Sequence, residues 1–448
     1  MERAQGNPQL MFAPDGVSRR DFIRGSAAIA AAFGITLTSA AEADEKRATG
    51  AKDNRPVNCA FIGVGDQGYN VDFKAALSVP GVKMVAVCDL YRPYLERALK
   101  DVPGATGYEG EDGYKRIMDR KDIEAVLIAT PLYMHAPIAI AALQSGKHVF
   151  TEKMMAWSIE DAKNMARAAN SSRKVLQIGH QRRANPMYHH AWELINQKKV
   201  LGKDGILHVR AQWNRNGSWR KSALPGMDDR HRNWRMYREY SHGLTSELGT
   251  HQIHAVNWFI GGAPTAVVAM GGIDYWKDGR EIPDNIEIIF EYANGVKLNY
   301  TSLTTNQYDG YYEQFMGKDG TLVISEEKET PASFYREPTA QVEDWMKVAV
   351  GGSQTGKHKE VGLKLDPQAT KKIVGPGVKI GEKSFAEGAM NKSAYVLEME
   401  DFFNAIRNGS PVTCDWKEAL GCCVAAIKAN EAIDKKIRIE IPASCYSL

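Results

Sequence analysis

Three glycines, an aspartate, a lysine and a histidine stripe are the residues whose types and spacing suit nucleotide binding and proton transfer. Gly63, Gly65 and Gly68, with Asp66 and Gln67 between them, form a GxGxxG turn. The first glycine permits a tight bend, the second lets backbone approach a pyrophosphate, and the third lets helix pack close to strand. Free N–H groups and the dipole at the helix start hold phosphates. Asp89 falls about 20 residues further on, where a carboxylate accepts hydrogen bonds from ribose hydroxyls. It would repel a 2′-phosphate, so the expected cofactor is NAD, with NADP admitted by the nearby Arg92. Glu247, His251 and His254 are spaced four and three apart, which on a helix places them on one face. An imidazole such as His251 has the pKa to take a hydroxyl proton. Lys153, at the end of an apolar run, has the charge to stabilise a developing alkoxide. No HExxH, CxxC or Cys/His cluster has zinc spacing, so no metal is expected.

Elements must place these groups. Val57–Ile62 is an apolar run entering the glycine turn, an amphipathic segment follows, and Met84–Cys88 stops at Asp89. Ala125–Ala129 reads as a strand that opens, past Thr130, Pro131 and His135, into a helix at Pro137–Ser145. The strand Gly146–Phe150 ends in Thr151, Glu152 and Lys153, and the helix Ile159–Ala169 and strand Lys174–Gly179 follow. Such alternation predicts a right-handed, mostly parallel sheet with ligands beyond the strand carboxyl ends. Thr130, Lys153 and His180 fall at such ends and are expected to meet in one crevice. From about Tyr188 the pattern changes to a helix at Tyr188–Gln197, strand-like alternation at Ile206–Trp213, a helix at Thr245–Ile260 and five strands between Ala266 and Ser325. The fold class is therefore α/β: an N-terminal Rossmann dinucleotide-binding domain (56–183) plus an α+β domain (184–412) with a large, mainly antiparallel sheet. Residues 413–448 are read as a helix and tail packing back on the core. The stretch 326–392, rich in Lys, Gly and Pro, reads as a long excursion around the core.

Composition sets outer bounds. The 448 residues suit two to three domains of about 150 residues each, and the formal net charge of +3 argues for neither nucleic acid nor an anionic membrane. In Arg210–Tyr240, Arg and aromatic residues interleave; with no basic tail or nucleic-acid motif, the stretch reads either as flat faces (Trp213, Trp219 and Trp234) for sugar C–H groups or, equally, as a loop packing over the sheet or into a neighbouring subunit. The six cysteines form no disulfide framework. At the N-terminus, Ser18-Arg19-Arg20-Asp21-Phe22-Ile23, the apolar run Ala27–Leu37 and Ala41-Glu42-Ala43 resemble a twin-arginine export signal over 1–43, with a polar lead-in at 44–55. That implies export in the folded state to the periplasm. The apolar run is far short of the roughly 20 residues that span a bilayer.

Several ordered motifs together resemble the glucose–fructose oxidoreductase, inositol dehydrogenase and MocA (Gfo/Idh/MocA) family. They are Gly63–Gly68, Ala129-Thr130-Pro131 with His135, Gly146-Lys147-His148-Val149 with Glu152-Lys153, and Glu247-Leu248-Gly249-Thr250-His251; weaker echoes are Gly317–Thr321 and Asp401–Gly409. The resemblance implies that Thr130, Pro131, His135, Glu152 and Lys153 face the cofactor. It also makes His251 the base and Lys153 its partner, carries Arg183 over as substrate-binding, and implies dimers or tetramers paired through the open sheet face. Two departures stand out. Glu152-Lys153-Met154 replaces the usual Glu-Lys-Pro, so a cis bond there is not expected. Glu247 stands where an aspartate is common, to orient His251 or bind a second hydroxyl. His254 and Trp234 complete the expected substrate contacts.

The resulting expectation is an NAD(P)-dependent oxidoreductase acting on a CH–OH group of a sugar, polyol or glycoside. A second reading is an NAD-dependent glycoside hydrolase that oxidises a ring hydroxyl transiently, eliminates the aglycone, adds water and re-reduces the ketone. A third, a non-catalytic sugar or nucleotide sensor, is disfavoured by the intact Lys153 and His251.

Overall fold

The computed structural model describes residues 55–325, 332–340, 362–364 and 392–448. The export signal, nearly all of the lead-in and most of 326–392 lie outside the described residues. Val57–Ile62 (β1) is buried except at Asn58, as befits a strand with a neighbour on each side and both faces covered. A π-helical turn, Gly68–Phe73, leads into α1 (Lys74–Ser78). β2 (Val82–Asp89), α2 (Arg92–Leu99), β3 (Thr106–Glu109), α3 (Gly113–Met118), β4 (Ala125–Ile128) and α4 (His135–Gln144) follow. β5 (His148–Glu152), α5 (Ile159–Ser172) and β6 (Leu176–Gly179) complete the first lobe. Its sheet is parallel throughout, in the order β3-β2-β1-β4-β5-β6. The order reverses between β1 and β4, and that reversal opens a crevice at the strand carboxyl ends. β3 is short and mostly exposed, so no apolar run announces it.

The second lobe begins with α6 (Pro186–Asn196) and β7 (His208–Trp213), then a short α7 (Asp229–Arg232). The helix expected from Thr245 starts with a π-helical turn, Thr245–Gly249, and continues as α8 (Thr250–Ile260). β8 (Ala266–Gly272), β9 (Asn285–Glu291), β10 (Lys297–Leu303), β11 (Tyr311–Met316), β12 (Gly320–Ile324), β13 (Ala332–Arg336) and β14 (Gly362–Lys364) follow. After α9 (Ala394–Asn408) and α10 (Trp416–Lys435), β15 (Ile439–Glu440) pairs with β8. The sheet order is β14-β13-β12-β11-β7-β10-β9-β8-β15, antiparallel except for β7 against β10. β9 alternates buried and exposed along its length, so one face packs on the core and the other is open.

Two expectations are corrected here. Within 326–392, β13 and β14 extend the sheet rather than wander around the core; each is too short for its periodicity to register. The helix Ala394–Asn408, assigned above to the second domain, buries Met399, Phe402 and Phe403 in the first lobe's core beside Phe61 and Phe150. The chain thus returns to the lobe it started from. All six cysteines are free thiols, five of them buried. No helix among the described residues is long and apolar enough to cross a membrane.

Candidate active site

The two lobes share a cavity of about 900 Å³. Every residue read as cofactor-binding lines it, from Gly63, Gly65, Asp66, Gln67 and Gly68 through Asp89 to Thr130, Pro131, His135, Glu152 and Lys153. The glycine turn is tight at its ends and open at its middle. Gly63 has φ +92°, and a Cβ there would sit 2.7 Å from the Ala129 backbone. A Cβ on Gly68 would lie 2.1 Å from the Gly63 carbonyl oxygen. At Gly65 the nearest atom to such a Cβ is a Tyr94 ring carbon at 3.9 Å, which leaves the backbone free for close approach by a phosphate.

Asp89 ends β2 and accepts the Val64 and Tyr91 backbone N–H groups, each at 2.8 Å, one on each oxygen. Burial pushes its pKa up to about 6. Arg92, expected to soften the choice against NADP, is drawn off to Glu109. The buried Thr130 hydroxyl oxygen has no partner among the described residues. An open glycine, a carboxylate at the end of β2 and, beyond β4, a hydroxyl unsatisfied among the described residues fit a dinucleotide. Asp89→Ala is expected to weaken NAD binding about tenfold, the worth of one charge-assisted hydrogen bond, and to admit NADP. In the unaltered protein the ratio of NADP to NAD affinity should rise as pH falls through about 6, because protonation removes the charge that repels a 2′-phosphate. Titration of both cofactors at pH 5 and 8 checks this; a constant ratio shows that another residue reads the ribose.

His135 lies against the cavity, but its nitrogens are engaged: Nδ1 lies 2.8 Å from the Met154 carbonyl oxygen and Nε2 3.0 Å from that of Thr130. It braces the loops after β4 and β5. The Lys153–Met154 peptide bond is cis, which corrects the expectation from the missing proline. The Met154 carbonyl faces His135, and its side chain is buried.

Lys153 leaves the end of β5, and its ammonium donates to the Glu247 carbonyl oxygen at 2.9 Å, on the second lobe. One helical turn further, His251 is buried against the Trp213 ring, with centroids 5.5 Å apart. Burial, and then the charges of Arg182 and Lys153, hold its pKa well below the ordinary imidazole value, so it is neutral and ready to accept a proton. Its Nδ1 has no partner among the described residues. Glu247 does not orient it. The Glu247 carboxylate instead accepts Arg235 Nε at 2.8 Å and the Ser241 hydroxyl at 3.2 Å. Burial raises its pKa, but Arg235 and Lys153 outweigh burial and hold it ionised. Trp213, Trp219 and Trp234 line the same cavity.

Two expected substrate contacts point elsewhere. Glu418, in the first turn of α10, takes both Arg183 Nε at 3.2 Å and His254 Nε2 at 3.3 Å, and neither residue lines the cavity. Arg183 also lies over the Trp258 ring, and His254 stacks on His180 at 4.2 Å between centroids. His180 faces Cys422 rather than the cavity, so of the three strand-end residues only Thr130 and Lys153 reach it. Conversely, Arg235 and Tyr395 line the site without having been singled out; Tyr395 comes from α9, more than two hundred residues beyond β5.

Behind Glu152 lie two further buried carboxyl groups, Asp72 and Glu398, and the three come within 4.8 Å of one another. The Glu398 side-chain oxygens have no hydrogen-bond partner among the described residues, and Asp72 and Glu152 stand close enough to share a proton. Burial first, then mutual repulsion, pushes both Asp72 and Glu398 well above the ordinary carboxyl range. Between the unfolded and folded pKa values the folded chain keeps protons that the unfolded chain releases, so this cluster destabilises the fold progressively as pH rises past about 4.5. Glu398→Gln should therefore raise Tm by a few degrees at pH 8 and by little at pH 4. An equal shift at both, by calorimetry, excludes proton retention by Glu398.

The fold and site define an NAD-binding α/β protein of the oxidoreductase class. Residues 57–180 match the family model described as "Oxidoreductase family, NAD-binding Rossmann fold", and residues 188–323 match the GFO/IDH/MocA C-terminal domain. The chain belongs to the GFO/IDH/MocA family, and its cofactor is NAD. Among curated proteins it is similar to the glycosyl hydrolase family 109 protein of Shewanella sp. (strain W3-18-1), 34% identical over 124 residues, which is 26% of this chain and 27% of that protein. The matched segment thus spans about a quarter of that relative. Among solved structures, levoglucosan dehydrogenase in complex with NADH and levoglucosan shares the fold with TM-score 0.66 at 20% identity, covering 87% of this chain and 100% of that one. An aldose-aldose oxidoreductase from Caulobacter crescentus, complexed with glycerol, gives TM-score 0.64 at 18% identity over 86% of this chain and 100% of that one.

Proposed function

We propose that this protein is an NAD-dependent oxidoreductase acting on a CH–OH group of a sugar, polyol or glycoside. One observation carries the reading: an ammonium from the first lobe and a neutral, buried imidazole from the second line one cavity with the dinucleotide residues. Nicotinamide, when bound, supplies hydride acceptance and return. His251 takes the hydroxyl proton. Lys153 holds the oxygen as negative charge builds on it. Arg235 and Glu247 offer a donor and an acceptor to a neighbouring hydroxyl, and the tryptophans cover C–H faces. The fold relatives crystallised with levoglucosan and glycerol support a polyhydroxylated substrate.

The similarity to glycosyl hydrolase family 109 proteins favours a second reading, redox-neutral glycoside cleavage by transient oxidation, elimination and re-reduction. A single experiment separates the two. The purified mature protein is assayed for bound nicotinamide by absorbance and mass, then offered free sugars and aryl glycosides. Coupled sugar oxidation and reduction supports the first reading; aglycone release without net NADH supports the second. Absence of turnover on both overturns both. Export to the periplasm belongs to the same proposal and suits a retained cofactor. A homo-oligomer belongs to it too: Val268, Met270 and Ile289 are exposed on the open sheet face, apolar surface that a second subunit would cover.

A further inference from the structure

The segment 214–244 leaves the end of β7, crosses to the first lobe, and returns to the π-helical turn before α8. On the second lobe it is held by Arg280, which donates to the Ser218 carbonyl at 2.7 Å, and by Arg235 on Glu247. On the first lobe it meets Trp157, through the Arg238 carbonyl and the His242 ring, and the phosphate-cradling turn. Lys221 forms an ion pair with Asp66, the acid inside that turn. Arg232 donates to the Tyr94 hydroxyl at 2.6 Å and lies 3.8 Å from Asp66. Tyr91 donates to the Pro225 carbonyl at 3.0 Å.

Asn233, next to Arg232 in sequence, ties that residue's segment to Lys221. Its Oδ1 accepts the Lys221 backbone N–H at 2.7 Å, and its Nδ2 donates to the Lys221 carbonyl at 3.2 Å. Lys221, Arg232 and Asp66 line the same cavity as the glycines. Burial raises the pKa of Asp66, but the hydrogen bond and charge of Lys221, with Arg232 and Arg97, outweigh it and keep the carboxyl ionised. A carboxylate beside the amides that cradle a diphosphate repels it. Lys221 and Arg232 reverse the sign at that spot: two positive charges against one leave a net positive charge facing the open Gly65 backbone.

We propose that the strap 214–244 is a cofactor clasp, in which Lys221 and Arg232, supplied by the substrate lobe, hold the NAD diphosphate against the glycine turn and restrain its release. The inference rests on the NAD-binding assignment, not on the choice of substrate. The Lys221–Asp66 pair is partly exposed on both sides, and such pairs are weak and salt-sensitive. The clasp therefore opens without unfolding, and its hold depends on ionic strength.

The test follows NAD leaving the protein. NADH-loaded protein is mixed with excess NAD, and loss of bound-NADH fluorescence gives the release rate at low and high salt. Lys221→Ala should release NADH about tenfold faster, the value of one charge-assisted contact, and should flatten the salt dependence. Lys221→Arg should restore slow, salt-sensitive release, and Tyr91→Phe, which loosens the strap without touching a charge, should speed release but keep its salt dependence. Unchanged release in Lys221→Ala, with Tm intact, overturns the clasp. If Lys221→Ala does not fold, unchanged release in Tyr91→Phe overturns it instead. Protein that takes up neither NADH nor NAD overturns the underlying assignment, a result distinct from any change in rate.

Discussion

Lys153→Met is expected to lower turnover by about a thousandfold, the scale set by removing a preorganised charge from a developing oxyanion, while NAD stays bound. The two effects separate because the contacts that fit NAD begin at the glycine turn and Asp89, whereas Lys153 sits at the end of β5 and reaches the opposite lobe. Its ammonium is fixed by the Glu247 carbonyl at 2.9 Å, so the charge is in place before substrate arrives. Lys153→Arg should rescue little, since a planar fork cannot reproduce a single directed N–H at this distance. Single-turnover change at the NADH absorbance band, with cofactor content by mass and Tm alongside, makes the measurement. A variant retaining a tenth of the rate would shift charge stabilisation to Arg235, a guanidinium on the same wall.

What could be read from sequence was local. The glycine turn, the strand before it and the acid after it are contiguous chemistry, and the spacing of Gly63, Gly65 and Gly68 encodes a backbone shape that only residues without a Cβ can take. The strands of the second lobe announced themselves by alternation, as in Asn285–Glu291. What escaped was anything set by distant packing. Glu418 draws Arg183 and His254 away from the cavity, and it lies more than 160 residues beyond either. Arg235 and Lys221 sit in a segment with no periodicity, so nothing local distinguishes them from the arginines and lysines around them. Of the two roles open to Glu247, orienting His251 is not the one its contacts favour: Arg235 and the Ser241 hydroxyl hold its carboxylate, and the spacing to His251 could not show them.

The same geometry explains why a site spread over two lobes is usable at all. Lys153 from the first lobe bonds the backbone of the helix that carries His251, so any shift of one lobe against the other is transmitted to both groups together. The strap adds a second crossing, from Lys221 to Asp66, at the other end of the cavity. Between these two ties lies the full run from phosphate turn to catalytic pair.

His251→Ala is expected to reduce turnover by about a hundred- to ten-thousandfold, the range for loss of a positioned general base, again with NAD retained. The pH dependence sharpens the assignment. An imidazole works as a base only when neutral, so kcat/KM should fall as pH drops through its folded pKa. Burial, Arg182 and Lys153 hold that pKa well below the ordinary value of 6.5, so activity should persist to lower pH than an exposed histidine would allow. In Lys153→Met the acid limb of the residual activity should move upward, because removing a nearby cation makes the imidazole easier to protonate. Arg182 is the stronger electrostatic cause. It is anchored by the Tyr311 hydroxyl and lies over the Trp213 ring, so Tyr311→Phe should shift the limb without touching either catalytic group. An acid limb unmoved in Lys153→Met would mean that the titrating base is not His251, and the buried carboxyl group of Glu152, on the same cavity wall, would be next in line.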